Sequence, residues 1–153
     1  MNRHKSLYKL SHDHHHGLKL AQLIKKGAPS FKNLPSTAEG KAAYTLEFYN
    51  EHLVPHFHQE ENVLYPLVKN KNKKLDDLFA EIFEEHKTIS RLINDLKNKE
   101  FKEDILYLLG DILNKHIKKE EKELFMLIQE TLSGEELSHL ADLLEGENKN
   151  TRA

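Results

Sequence analysis

The 153-residue chain contains no cysteine, which removes disulfides, iron–sulfur clusters and thiolate zinc sites together. Any metal it holds must sit on nitrogen and oxygen, from His, Asp and Glu. A charge of one sign is also lacking. The formal net charge is -2, with Lys interleaved among Glu and Asp, so no nucleic-acid partner is expected. No apolar run approaches the ~20 residues of a membrane helix. The basic start Met1-Asn2-Arg3-His4-Lys5 has no apolar stretch behind it, so a secretory signal is not expected and the cytoplasm is the default location. Period-two alternation between turn residues is missing, which argues against strands. No His-Glu-x-x-His occurs, and with it goes a zinc-peptidase reading. The one Glu-x-x-His runs from Glu136 to His139 near the end of the chain, whereas ferritin-like di-iron bundles need that spacing on two core helices.

What the chain does have is histidine, 11 of them, and one phrase written twice. His56-Phe57-His58-Gln59-Glu60-Glu61-Asn62-Val63-Leu64-Tyr65 returns as His116-Ile117-Lys118-Lys119-Glu120-Glu121-Lys122-Glu123-Leu124-Phe125. In each copy a glutamate follows a histidine by four positions, so on a helix both project from one face.

Apolar periodicity divides the chain into four long amphipathic helices. The first runs from about Ser6 to Lys26, with a seam of Leu7, Leu10, His14, Gly17, Ala21 and Ile24, and ends at Gly27 and Pro29. After a loop containing Pro35, Ser36 and Glu39 form a capping-box signature for the second. Its stripe reads Tyr49, Leu53, His56, Glu60, Val63 or Leu64, and Leu67, with Pro55 predicting a kink. A polar turn from Asn70 to Lys74 precedes the third, Leu75, Phe79, Ile82, His86, Ile89, Ile93 and Leu96. The fourth carries Ile105, Leu109, Ile112, His116, Glu120 and Leu127. Ser133 and Glu136 cap a short fifth helix to about Leu144. The expectation is an all-α, up-down-up-down four-helix bundle over residues 1–145, followed by a frayed polar tail over residues 146–153.

Every seam is interrupted by histidine, and two are also interrupted by glutamate. A buried carboxylate without a partner costs several kcal/mol, and a metal ion would satisfy it. Counting supports convergence. His56 and His86 are equidistant from Lys71, His86 and His116 from Phe101, and the midpoint between His14 and His56 is Pro35. One histidine from each helix therefore falls in a single layer, with Glu60 and Glu120 about one turn (~6 Å) away. On the first helix His12, His14, His15 and His16 are all available. His14 is preferred, since its apolar neighbours repeat those of His86, and His15 comes next.

The paired His-x-x-x-Glu-Glu phrases, Glu85-His86 in a helical seam and Asp13-His14 near the start resemble the hemerythrin-like (HHE cation-binding) domains over about residues 5–130. The resemblance implies a four-helix bundle around a non-haem di-iron centre with an oxo or hydroxo bridge. It makes His14, His56, His86 and His116 terminal ligands, and Glu60 and Glu120 the bridging carboxylates. Oxygen-carrying members have a second histidine on the third helix where this chain has Ser90. They also have an aspartate five residues after the fourth-helix histidine, where this chain has Glu121. It looks instead like the branch with four histidines and two glutamates, which includes iron–sulfur-centre repair proteins, and the resemblance is to their metal domain only, with their extra N-terminal domain not expected here.

Ligand type admits manganese or zinc beside iron. The resemblance implies a protein that binds or reacts with O2, NO or peroxide in sensing, scavenging or stress protection, served by a reductase. The alternatives are iron storage or delivery to an iron acceptor, and a bundle that binds a partner protein around a structural metal. Tyr65, Phe79, Phe83 and Phe125 are expected to line and dry the pocket. Glu61 and Glu121 are expected to be solvated or to support the ligands from outside. His52 is expected near the surface, and His4, His58 and His139 on it.

Overall fold

The computed structural model describes residues 2–98, 100 and 102–152, with side chains through Gly146. Among these residues every regular element is helical. A 3-10 turn, Lys5–Leu7, leads into α1 (Tyr8–Ile24), and the His4 imidazole accepts the Ser6 N–H at its start. His4 is therefore half-buried rather than on the surface as expected. Gly27, with φ 73°, turns the chain away after α1. Thr37 caps α2 (Ala38–Phe48) by accepting the Gly40 N–H. The cap thus lies one residue beyond the expected Ser36, because the first helical residue is Ala38.

The second long rod is built from α2, α3 (Val54–Gln59) and α4 (Tyr65–Val68), joined by π-helical turns at Tyr49–Leu53 and Glu60–Leu64. Pro55 and Pro66 each sit in the first turn of the segment that follows a π turn, and neither can donate to a carbonyl of the turn before it. The kink expected at Pro55 is thus a local widening of the helix, closed by the Val54 N–H to the Tyr49 carbonyl. After a turn through Lys71, α5 (Lys73–Asn98) buries all seven residues expected of it, from Leu75 to Leu96. The turn centred on Phe101 lies outside the described residues. The fourth rod is α6 (Lys102–Lys119), a π turn over Glu120–Leu124, and α7 (Phe125–Thr131).

The π turns shift the seams. A π turn inserts one residue, so positions beyond it rotate by about one residue step, ~100°. Val68 is buried in place of the expected Leu67, and Ile128 in place of Leu127, while Val63 and Leu64 are both buried. On α6 the buried face is centred on Leu106, Leu109 and Leu113, leaving Ile105 and Ile112 at its margin.

The Ser133–Glu136 capping box forms as expected: the Ser133 N–H donates to Glu136 Oε1 at 3.0 Å and the Glu136 N–H to Ser133 Oγ at 3.1 Å. The helix it opens, α8 (Gly134–Arg152), runs past Leu144, since Gly146 weakens a helix by only ~1 kcal/mol relative to Ala. Leu137, Leu140 and Leu144 of α8 join Leu7, Leu10 and Phe79 in one apolar cluster. A second cluster, including Leu20, Ile24, Ile93 and Leu109, fills the other half of the bundle. Between the two lies a polar layer.

Candidate metal centre

The buried polar residues of the bundle are few, and six of them are His14, His56, Glu60, His86, His116 and Glu120, each 5% exposed or less. They come from α1, α3, the π turn after α3, α5, α6 and the π turn after α6. Glu60 and Glu120 each open a π turn, with their carbonyls accepting the N–H groups of Tyr65 and Phe125. The doubled phrase is therefore a doubled backbone device, of a kind frequent at functional sites.

Ring centres of His14 and His56 are 4.9 Å apart, and those of His86 and His116 5.1 Å. His14 alone among the first-helix histidines 12, 14, 15 and 16 is buried. The four Nε2 atoms face the two glutamates. His14 Nε2 is 2.8 Å from Glu120 Oε1, His86 Nε2 3.1 Å from Glu60 Oε1, His56 Nε2 3.4 Å from Glu60 Oε2 and His116 Nε2 3.6 Å from Glu120 Oε1. One donor atom from each of His14, His56, Glu60 and Glu120 lies within 4.8 Å of the others, and the same holds for Glu60, His86, His116 and Glu120. The two groups share both glutamates.

A carboxylate stands behind every imidazole. His56 Nδ1 donates to Asp13 Oδ2 at 2.9 Å, and His116 Nδ1 to Glu85 Oε1 at 2.7 Å. His86 Nδ1 is 3.5 Å from Glu61 Oε2, and His14 Nδ1 3.6 Å from Glu121 Oε1. Each outer carboxylate is the sequence neighbour of an inner residue and reaches the histidine of the next rod. The chain of support closes on itself, from the first rod to the second, third, fourth and back. Lys9 pairs with Asp13, Lys119 with Glu85 and Arg3 with Glu121. Glu61 and Glu121 thus support the site as expected, whereas Asp13 and Glu85 had no such role assigned. Phe57, also unassigned, stacks on His86 at 3.8 Å, and Phe125 stacks on His14 at 5.3 Å. Tyr65, Phe79 and Phe83 pack together beyond the layer, with Phe83 6.1 Å from His86.

These contacts set the charges. Burial pushes the His14 imidazolium down, but the hydrogen bond to Glu120 and the Glu121 carboxylate close by overcome this and raise it to about 9. Burial acts the same way on His56 and is outweighed by the Glu60 charge and the Asp13 bond, leaving it well above the usual histidine range. His116 is raised against burial by Glu120 and Glu85. Burial alone would raise Glu60, yet the His56 charge beside it and the hydrogen bond from His86 hold it well below the usual carboxylate range. Without metal, protons supply the positive charge that the carboxylates require.

The residues fit a metal ion. Atoms left without a hydrogen-bond partner and shut off from solvent include His56 Nε2, His116 Nε2, Glu60 Oε2 and Glu120 Oε2, which face the centre. A donor set of imidazole and carboxylate suits iron, manganese or zinc, and carboxylates behind the imidazoles are the usual orienting device of metal-binding histidines. A cavity of ≈ 20 Å³, enough for about one water, touches His14, His56, His116 and Glu120 and extends between His16 and His52.

The profile of the hemerythrin HHE cation binding domain matches residues 5–128. The chain belongs to the hemerythrin HHE cation-binding family. A DNA nickase of Nostoc sp. (strain PCC 7120 / SAG 25.82 / UTEX 2576) is 33% identical over 103 residues, which is 64% of this chain and 28% of the Nostoc protein. This hemerythrin-like chain therefore spans less than a third of that relative's length. No solved structure matches it. Among the described residues no helix is long and apolar enough to cross a membrane.

Proposed function

We propose that His14, His56, His86, His116, Glu60 and Glu120 hold two iron ions, and that this centre binds or reacts with O2, NO or peroxide in sensing, scavenging or stress protection. The observation that carries this reading is the pair of four-residue groups sharing both glutamates, an arrangement suited to two ions side by side. When bound, two irons supply redox equivalents and coordination positions for a diatomic molecule or peroxide. The protein's own part is orientation and exclusion. Asp13 and Glu85 accept from Nδ1 of His56 and His116, which leaves the Nε2 lone pairs aimed inward. Apolar clusters on both sides of the layer keep bulk water away, and the cavity of ≈ 20 Å³ beside His14 and His56 admits only small molecules. A cytoplasmic location and a reductase partner complete this reading.

The test is to load the protein anaerobically with iron(II) and expose it to O2, NO or peroxide while recording the near-ultraviolet and visible spectrum. Rapid spectral change supports gas or peroxide chemistry. Absence of change, with ready loss of iron to a chelator, would favour iron storage or delivery to an acceptor by the same ligands.

A further inference from the structure

The described surface carries a second concentration of imidazoles that the buried centre does not use. His12 and His16, one turn apart on α1, are exposed, with ring centres 5.1 Å apart. His52, in the π turn that follows α2, is also exposed, and its ring centre lies 6.2 Å from that of His16. Two imidazoles binding one tetrahedral ion at ~2.0–2.1 Å from each nitrogen have ring centres about 5 Å apart, which the His12–His16 pair already meets. His52 packs on Phe48 at 4.8 Å. His16 and His52 also line the cavity whose inner wall is His14, His56, His116 and Glu120.

We propose that His12 and His16, with His52 beside them, form a separate two-imidazole capture site for a divalent transition-metal ion at the mouth of this cavity. Nitrogen donors without a carboxylate among them select a borderline ion such as zinc, iron(II), nickel or copper over magnesium or calcium. Two exposed imidazoles on one helix face hold an ion loosely enough to release it inward. The further role, loading the buried cluster, rests on the reading of that cluster as the metal centre. The capture site itself does not.

The test uses the whole 153-residue chain with the buried cluster filled, equilibrated with a modest excess of zinc, and total metal per chain counted by elemental analysis. Wild type should hold one ion more than the filled cluster alone. His12→Ala/His16→Ala should lose that ion, and His15→Ala should keep it. A Glu60→Ala/Glu120→Ala variant should still take the extra ion, which separates failure of the buried reading from failure of this one. Metal-free His12→Ala/His16→Ala should also fill the buried cluster with iron(II) several-fold more slowly than wild type, while reaching the same buried content once a weak chelator has cleared exposed sites. An extra ion that survives the paired histidine substitution, or no extra ion in wild type, overturns the capture site. Unchanged uptake rates overturn its loading role.

Discussion

Filling the buried cluster with metal should expel protons, and the number can be worked from the site. The His14 imidazole is raised from 6.5 to about 9 by Glu120 and Glu121, acting against burial. At pH 7 a group of that kind is ~99% protonated, and a metal takes the lone pair only after the proton leaves. His14 therefore contributes about one proton per chain. His56 and His116 are also raised, so the total should fall between about one and three. Titration calorimetry at pH 7, in buffers of different ionisation enthalpy, reads this number from the slope of apparent enthalpy against buffer enthalpy. The same shift fixes a stability trend for metal-free protein. A folded-state value above the unfolded one stabilises fully below pH ~6.5, and the contribution fades as pH rises through about 9. For His14 this amounts to about 3 kcal/mol. Denaturant melts in chelator between pH 6 and 9.5 should show that loss, and metal-loaded protein should not. Metal binding without proton release, or metal-free stability that rises across this range, would refute the charge assignment.

Glu85→Gln and Asp13→Asn should each weaken metal affinity by roughly 10- to 100-fold while the fold, read by circular dichroism, stays intact. Phe57→Ala removes the ring stacked on His86 at 3.8 Å and should cost about 3–5 kcal/mol in denaturant unfolding. At Gly110 an added Cβ would meet the Ala21 carbonyl oxygen at 3.3 Å and Ile24 Cγ1 at 3.1 Å. Overpacking of about 1–3 kcal/mol then outweighs the ~1 kcal/mol helix-propensity gain, so Gly110→Ala should lower the melting temperature by a few degrees. Stripping metal with a chelator should lower it as well, because an ion that binds only the folded chain stabilises it by mass action.

The layer of histidines was legible because polar residues in apolar seams announce themselves, and because equal counts from a turn give equal heights on antiparallel rods. His14 stood out from its neighbours for the same reason: its positions three, seven and ten residues on are Gly17, Ala21 and Ile24, all buried. The π turns were not legible. A histidine and glutamate four apart look the same in a regular helix and in one that widens at the glutamate. The widening showed only downstream, where Val68 and Ile128 took the places expected of Leu67 and Leu127. The outer carboxylates escaped for another reason. Asp13 and Glu85 are turned ~100° from the inner residues beside them, which on one helix points away from the centre. Only the neighbouring rod brings His56 and His116 against them. Such pairing is a property of packing between helices, and no single seam encodes it.

Counting metal in protein loaded with iron and then dialysed against a weak chelator, which clears exposed sites, decides whether the buried layer holds two ions. Two ions per wild-type chain are expected, and none in Glu60→Ala/Glu120→Ala that remains folded by circular dichroism. Two ions retained by the folded double variant, or fewer than two in fully loaded wild type, would contradict it.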